Sequence, residues 1–307
     1  MKLLASLGLL LLLLSSSQSV PDVDYVPITF RQVSGPRPFI NIKLNGVPLL
    51  LMVHANASFY AMTTHANAAK AGIDSLGPAR KYGITATGQV STLGRSSTRA
   101  RTLQIGRDVV HQAPLEVFEV PQVVPIDGML GIGWLQQRRV LVDYAQARVG
   151  VSPSPAAAED TRKRLLAAGY VAHPMTWNGP KQVYTVPLTI NKAAATFEVS
   201  TVSETVIDSV FARRAQLALG PVVFDYGGPT GTTGHVRNTA KPVRMRFGQQ
   251  VGQPIVAQVY DTYAYEAKPR PANEAELLSG SLGCDFMLAN KAVIDFGAGI
   301  LFLRGSK

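Results

Sequence analysis

Cysteine is almost missing from this chain of 307 residues, which contains Cys284 and no other. A single cysteine excludes an intramolecular disulfide, even in a compartment that would permit one. Acidic residues are also scarce, since 20 Asp and Glu accompany 30 Lys and Arg, and the formal net charge is +10. The basic residues are scattered and are not interleaved with aromatic side chains, so we expect a solvated surface that attracts anions and no nucleic-acid partner.

Long apolar runs are absent except at the N-terminus, where residues 3–14 are apolar apart from Ser6. Lys2 precedes this run and the Ser-rich residues 15–19 follow it, which is the order of a secretory signal peptide. The run is too short to cross a bilayer comfortably, and no later segment is apolar enough to span one. We therefore expect a signal peptide at residues 1–19 and an exported protein, periplasmic or secreted, with a retained N-terminal anchor as the alternative.

An internal duplication is the most informative feature of the chain. An upstream block at 42–54 matches residues 188–200 at an offset of 146. Self-similarity at a fixed spacing predicts two copies of one structural unit. Two downstream blocks also match, at an offset of 152: 128–135 with 280–287, and 140–144 with 292–296.

Each copy is predicted to consist mostly of strands. Two strands lie within residues 39–53, and Asn45-Gly46 between them is a strong hairpin signal. A short helix is predicted at 63–71, with Gly72 at its C-terminal end. The corresponding elements of the second copy are strands at 184–190 and 196–199 and a helix at 209–216, and a linker helix is predicted at 157–168.

The repeated segments resemble the pepsin/retropepsin-like aspartic proteases, especially bacterial exported members with two copies. In that family each lobe has a buried strand ending in Asp-Thr-Gly, a bracing apolar-apolar-Gly segment and a closing strand that contains an Asp. This chain matches the bracing segments at 129–131 and 281–283 and the closing strands around Asp143 and Asp295. The resemblance implies that these two aspartates are structural.

The resemblance also implies the fold class and the division of the chain. We expect an all-β protein with short helices, folded as a two-lobed pepsin/retropepsin-like double β-barrel. The expected segments are a signal peptide at 1–19, a first lobe at 20–151, a linker with a short helix at 152–182 and a second lobe at 183–307.

The chain departs from the family pattern at both catalytic loops, where His54 and Ser200 occupy the places of the two aspartates. Aspartic proteases require two carboxylates that share one proton, and a serine hydroxyl has no accessible charge with which to replace one of them. The family glycine is replaced by Asn56, which tolerates positive φ, and by Val202, which does not. We therefore expect a rebuilt second loop and an inactive protein.

The resemblance leads to a non-catalytic protein that binds a peptide or protein in the inter-lobe cleft, without a cofactor or metal. Glycine-rich segments at 83–94 and 227–234 occupy the places of the family's flaps. Two alternatives remain open: an active peptidase or hydrolase, as a divergent aspartic protease or a Ser200–His54 dyad, and a structural envelope protein with a closed cleft. The residues expected to contact a ligand are His54, Asn56, Ser58, Tyr82, Ser200, Ser203 and Tyr226.

Overall fold

The computed structural model describes most of the chain beyond its N-terminus. Residues 1–19 and Tyr82 lie outside the described residues, as does the first glycine-rich segment except Gly94. No helix among the described residues is both long and apolar enough to cross a membrane. The described ranges are 22–33, 35–80, 94–119, 125–227, 233–266, 268–273 and 276–304.

The described part of the first lobe contains ten strands and two short helices. Its strands are β1 (Asp24–Pro27), β2 (Thr29–Gln32), β3 (Pro36–Leu44), β4 (Val47–Val53), β5 (Ala61–Thr63), β6 (Ser96–Ile105), β7 (Asp108–Val117), β8 (Gly128–Leu130), β9 (Leu141–Asp143) and β10 (Arg148–Val151). Its helices are α1 (His65–Lys70) and α2 (Ile132–Gln137).

The linker and the second lobe also consist mainly of strands with short helices. The linker holds α3 (Pro155–Ala167), β11 (Tyr170–Pro174) and β12 (Thr176–Asn178). The helices of the second lobe are α4 (Ser209–Arg214), α5 (Thr262–Tyr265) and α6 (Cys284–Ala289). Its strands are β13 (Val183–Ile190), β14 (Ala193–Val199), β15 (Val206–Asp208), β16 (Leu219–Gly227), β17 (Thr233–Thr239), β18 (Arg246–Phe247), β19 (Gln250–Val251), β20 (Gln258–Tyr260), β21 (Gly280–Leu282), β22 (Val293–Asp295) and β23 (Ile300–Arg304).

Local sequence signals account for the β3–β4 turn and for the ends of α1. Asn45 and Gly46 both have positive φ, 48° and 88°, which is the backbone of a two-residue hairpin turn, and they join β3 to β4 as predicted. The predicted helix at 63–71 is shorter than expected because Thr64 caps it, accepting a hydrogen bond from Asn67 N. Gly72, at φ 64°, follows its end.

Each lobe has its own sheet, and a third sheet joins them. The first-lobe sheet runs β2-β3-β4-β8-β5-β7-β6 and closes on itself through β3 and β6. The second-lobe sheet runs β16-β17-β20-β15-β21-β14-β13-β18-β19, with β12 beside β13. The joining sheet runs β1-β10-β9-β22-β23-β11. This is the all-β, two-lobed architecture that the resemblance implies.

The joining sheet shows how the duplication is built. Its central pair is β9 with β22, and Val142 lies opposite its own repeat equivalent, Ile294. On the outside, β1 pairs with β10 and β11 pairs with β23. The linker strand β11 thus occupies the position in the second half that β1 occupies in the first, and the structural repeat begins before residue 183.

The two closing-strand aspartates stabilise turns and pair with arginines. Asp143 Oδ1 accepts a hydrogen bond from Gln146 N at 3.0 Å, and Asp295 Oδ1 accepts one from Ala298 N at 2.9 Å. Their other oxygens form ion pairs, each at 3.1 Å, with Arg148 and Arg162 respectively. Both aspartates therefore have the structural role predicted for them.

Candidate functional site

The centre of the molecule is formed by two loops, one after β4 and one after β14. They begin at His54 and Ser200, the residues that the resemblance aligns with catalytic aspartates, and both loops make the same backbone hydrogen bonds to the bracing segments. Buried backbone groups must be paired whatever side chains they carry, so the loop framework persists. The four bonds are His54 N to Leu130 O (2.8 Å), Ser200 N to Leu282 O (3.0 Å), Ile132 N to Ala57 O (2.9 Å) and Cys284 N to Ser203 O (2.8 Å).

The bracing glycines allow each loop to approach its brace closely. A Cβ on Gly131 would lie 2.2 Å from Phe59 O, and a Cβ on Gly283 would lie 2.4 Å from Ser203 O. Any side chain at either position would displace the loop backbone. The bracing motif identified in the sequence is therefore a requirement for close packing.

The second loop is not rebuilt, and that expectation was wrong. Neither Asn56 nor Val202 has positive φ, so neither position needs the backbone freedom of glycine. The side chain of Val202 lies in an apolar cluster whose other buried members all come from the first lobe. Those members are Val33, Phe39, Met52, Met62, Phe118, Ile126 and Met129.

One hydroxyl connects the two loops across the lobes. The fully buried Thr201 Oγ1 donates to Val53 O at 2.7 Å and accepts from Ala55 N at 2.9 Å. Ala55 is the repeat equivalent of Thr201 and has no hydroxyl with which to return the contact. The two loops predicted from the sequence are thus adjacent, and the hydrogen bonds that join them use a side chain of the second loop only.

His54 is held as a neutral imidazole. Its Nδ1 accepts a hydrogen bond from Asn56 N at 3.3 Å, which leaves the proton on Nε2. Burial and the neighbouring Arg37 guanidinium lower the pKa of His54 to about 4. Arg37 itself donates from Nε to Val33 O. Above this pH the site carries no charge at the first aspartate position.

Ser200 is almost completely buried, and its hydroxyl is turned toward its own loop. Ser200 Oγ accepts hydrogen bonds from Val202 N and Ser203 N, both at 3.3 Å. Both loops lie within the described residues, and no hydrogen bond joins Ser200 Oγ to the His54 ring. The geometry of a serine nucleophile activated by histidine is not formed.

Two acidic side chains of the second lobe lie near this loop, and their hydrogen bonds go to residues other than His54 and Ser200. Asp285 Oδ1 accepts from both Thr205 N and Thr205 Oγ1, at 2.8 and 2.7 Å. Glu204 accepts a hydrogen bond from the Gln258 amide. Arg37 is the charged group that acts on His54, and no carboxyl group of the described residues shifts its pKa.

Asn56 is the unusual polar group of the site. Its side-chain Oδ1 and Nδ2 are both buried, and neither has a hydrogen-bond partner among the residues that the structure describes. A buried polar group without a partner costs about 1–3 kcal/mol, so a native structure seldom keeps one without a reason. The resemblance aligns Asn56 with the family glycine, which has no side chain.

The other expected ligand contacts are more dispersed. Ser203 Oγ lies 3.1 Å from Ser281 Oγ, and Ser58 is exposed. Tyr226 lies near the tip of the β16–β17 hairpin, in a cluster with Tyr260 and Tyr265 at ring distances of 5.6 and 5.0 Å. The structure thus brings together the loop residues His54, Asn56, Ser200 and Ser203.

Glu198 was missed by the sequence reasoning. It lies on β14 two residues before Ser200, opposite Ser281 on β21. Burial and the carboxylate of Glu266 raise its pKa to about 7, against a hydrogen bond to Ser281 that lowers it. The sequence signal that could have identified Glu198 was its position two residues before Ser200, because residues two apart along a strand lie on the same face.

Comparison with known structures identifies the fold. No protein-family model and no curated protein sequence matches the chain. Conglutin gamma, a basic 7S globulin from lupine seeds, aligns with a TM-score of 0.51 and 12% identity over 93% of this chain and 96% of its own. The fold is pepsin-like.

Two further solved structures also align with this pepsin-like chain. Basic 7S globulin from soybean aligns with a TM-score of 0.49 and 13% identity, over 93% of this chain and 95% of its own. A retropepsin-like aspartic protease from Rickettsia conorii aligns with a TM-score of 0.32 and 22% identity, over 42% of this chain and 91% of its own.

Proposed function

We propose that this protein is a catalytically inactive member of the pepsin-like fold that binds a peptide or protein segment in the cleft between its lobes. The observation that carries the proposal is the Asn56 carboxamide, which is buried at the centre and has no partner, within the described part of the chain, for either of its polar atoms. A carboxamide offers one acceptor and two donors, and a peptide group is its complement. A peptide backbone that displaced the groups covering the carboxamide would satisfy both atoms at once.

The lack of catalysis follows from the chemistry of the two loops. Aspartic-protease chemistry needs one carboxylate as general base and a second carboxyl group as acid. Here the two positions hold a neutral imidazole and a hydroxyl that accepts two backbone hydrogen bonds. Neither group can supply the missing acid, and they do not contact each other as nucleophile and base.

Binding and its dependence on Asn56 can be measured together. The mature protein would be incubated with a pooled peptide library, and retained peptides would be titrated against wild type, Asn56→Ala and the matched control Asn41→Ala, which removes an exposed amide from β3. We expect Asn56→Ala to weaken binding at least tenfold, about 1.4 kcal/mol. We also expect it to raise stability, because it removes an unpaired buried amide. Asn41→Ala should change neither.

The alternatives give different results in the same experiment. Turnover of library peptides by wild type that is lost in His54→Ala or Ser200→Ala would establish hydrolysis and contradict the proposal. A closed-cleft envelope protein would retain no peptide at all. The burial of Val202 in the first-lobe cluster favours that second candidate, because the side chain occupies space between the lobes.

We also propose that the protein is exported to the periplasm or secreted. The support is the N-terminal pattern of Lys2, an apolar run and a Ser-rich stretch. Fractionation with N-terminal sequencing of the mature chain tests it. A mature N-terminus near residue 20 is expected, and a cytoplasmic protein that begins at Met1 would contradict it.

A further inference from the structure

Arg37 brings a positive charge close to the first central loop. It is the second residue of β3, and Phe39 on the same strand pairs with Met52 on β4. The same antiparallel register, continued to the first residue after β4, brings Arg37 opposite His54. Residues directly opposite each other in an antiparallel pair have Cβ atoms about 4.5–5.5 Å apart, so these two side chains share one face of the sheet.

The segment around Arg37 also contacts the second lobe. Arg37 Nε donates a hydrogen bond to Val33 O, and Val33 lies in the apolar cluster that holds Val202 of the second loop. At Gly35, between these two residues, an added Cβ would lie 2.5 Å from Glu204 Cγ. Arg37 is therefore at the boundary between the lobes, beside both central loops.

Several hydrogen-bond donors of Arg37 and His54 have no partner. Beyond the bond to Val33 O, no hydrogen bond or ion pair joins Arg37 to the described residues, so the four N–H groups on its two Nη atoms remain. His54 also keeps a donor, at Nε2, because its Nδ1 accepts from Asn56 N. None of these atoms is among the fully buried, unpaired polar atoms of the described residues, and both side chains are only partly buried. The donors are therefore accessible from solvent.

The charge on Arg37 favours an anion at this place. Burial lowers the pKa of Arg37, although arginine still remains charged at physiological pH. Glu204 acts on this charge from a distance, and its own carboxylate accepts a hydrogen bond from the Gln258 amide. A partly buried cation that no described carboxylate pairs with has lost hydration without full compensation, and a bound anion would supply that compensation.

We propose that Arg37 and the Nε2 proton of His54 form a binding site for a carboxylate group of the peptide ligand. The two Nη atoms of a guanidinium match a carboxylate in two parallel hydrogen bonds, and the imidazole N–H supplies a third donor. The inference rests on the proposed function, because it assigns a ligand group to the same cleft. Asp and Glu side chains and the C-terminus of a peptide all carry this group, and the experiment distinguishes these sources.

The chain provides matched variants for the test. Arg37→Gln removes the charge, and Arg37→Lys keeps the charge without the planar fork. The control is Arg101→Gln, which removes an exposed arginine from β6. Arg101 is next to Thr102, whose carbonyl oxygen accepts from Asn45 N in the β3–β4 turn, and the strand from Arg37 to Asn45 spans about 26 Å. Circular dichroism and thermal melting confirm that each variant is folded.

The first probe is a set of fluorescent peptides chosen from those that wild type retains from the pooled library. Each is also prepared with its acidic side chains changed to Asn or Gln, and separately with its C-terminal carboxylate amidated. We expect one of these changes to weaken binding to wild type at least tenfold, and that change identifies the source of the carboxylate. This comparison uses wild type alone, so it does not depend on any variant being folded.

The variants then show whether Arg37 is the group that selects the carboxylate. Arg37→Gln should bind the original peptide at least tenfold more weakly than wild type does, and should bind the neutralised peptide as wild type does. Arg37→Lys should lie between the two, because it keeps the charge but loses the paired hydrogen bonds. Arg101→Gln should match wild type with every peptide.

The second probe, N-acetylglycine, carries a carboxylate but almost no peptide to fill the cleft. Its binding is followed through the NMR signals of the His54 imidazole nitrogens, which are assigned with His54→Phe. N-acetylglycinamide is the neutral control. We expect N-acetylglycine to shift these signals in wild type, with no shift in Arg37→Gln and none from the neutral control.

The two probes separate failure of the carboxylate site from failure of the proposed function. If N-acetylglycine shifts the His54 signals in wild type and not in Arg37→Gln, while no library peptide is retained, the carboxylate site stands and peptide binding in the cleft is contradicted. If retained peptides bind wild type and Arg37→Gln equally, and both neutralised versions bind as the original does, the carboxylate site is refuted and cleft binding stands.

Discussion

His54 and Glu198 should give this protein two opposed pH dependences of stability in the same pH range. Burial and Arg37 lower the pKa of His54 from 6.5 to about 4, so the folded state disfavours the protonated imidazole. Burial and Glu266 raise the pKa of Glu198 from 4.5 to about 7, so the folded state favours the protonated carboxyl. The substitutions His54→Gln and Glu198→Gln separate the two effects.

The sign of each effect follows from which state binds more protons. The His54 contribution is fully present above pH 6.5 and is lost as pH falls through 4, because the unfolded chain takes up the proton first. The Glu198 contribution is fully present below pH 4.5 and is lost as pH rises through 7. For each group, the difference between its folded and unfolded pKa corresponds to about 3 kcal/mol. In wild type the two slopes nearly cancel between pH 4.5 and 6.5.

Urea unfolding at half-unit steps from pH 4 to 7.5 measures the free energy of unfolding for wild type and both variants. Wild type minus His54→Gln should increase by about 3 kcal/mol as pH rises from 4 to 6.5. Wild type minus Glu198→Gln should decrease by a similar amount from pH 4.5 to 7. Flat differences, or two differences of the same sign, would show that the burial of these groups has been misjudged.

Two further changes test the contacts that hold the fold together. Thr201→Val leaves Ala55 N and Val53 O unpaired in the interior and should lower the free energy of unfolding by about 3 kcal/mol. Ala55→Thr supplies the hydroxyl that the first loop lacks and should raise the free energy of unfolding by about 1 kcal/mol. Chemical denaturation measures both changes. Arg162→Met removes the ion-pair partner of Asp295, whose side chain is fully buried. The free energy of unfolding should fall by about 3–5 kcal/mol, because the buried carboxylate loses its compensating charge. A melting temperature unchanged from wild type would contradict this expectation.

The fold was predictable because the duplication supplied long-range information. A single copy contains short strands whose pairing partners its own sequence does not identify. Two copies in register indicated a two-lobed protein, and the Asn45-Gly46 turn fixed the β3–β4 register through its backbone requirement. The repeat of β1 as β11 was missed because a four- or five-residue edge strand has too little pattern to recognise.

The candidate site was predictable in its location but not in its detail. His54 and Ser200 were identified by their place in the repeat, and the structure joins the backbone of each to its bracing segment. The conformation at Val202 was misjudged, since φ at this loop position was inferred from the family glycine. Glu198 was missed because its burial depends on the neighbouring strand β21, about 80 residues away in sequence.

The loops show how a pepsin-like fold keeps its framework with a histidine and a serine at the starts of its two central loops. Their shared hydrogen bonds join backbone groups, which must be paired in the interior whichever side chains are present. Side chains in the loops therefore change at little cost to the framework, provided that each finds an environment that suits it. Val202 finds one in the apolar first-lobe cluster, and Thr201 finds one in the backbone of the opposite loop. The Asn56 carboxamide has no such environment among the described residues, and its unpaired polar atoms make folding less favourable. A ligand that paired with these atoms would regain that free energy on binding.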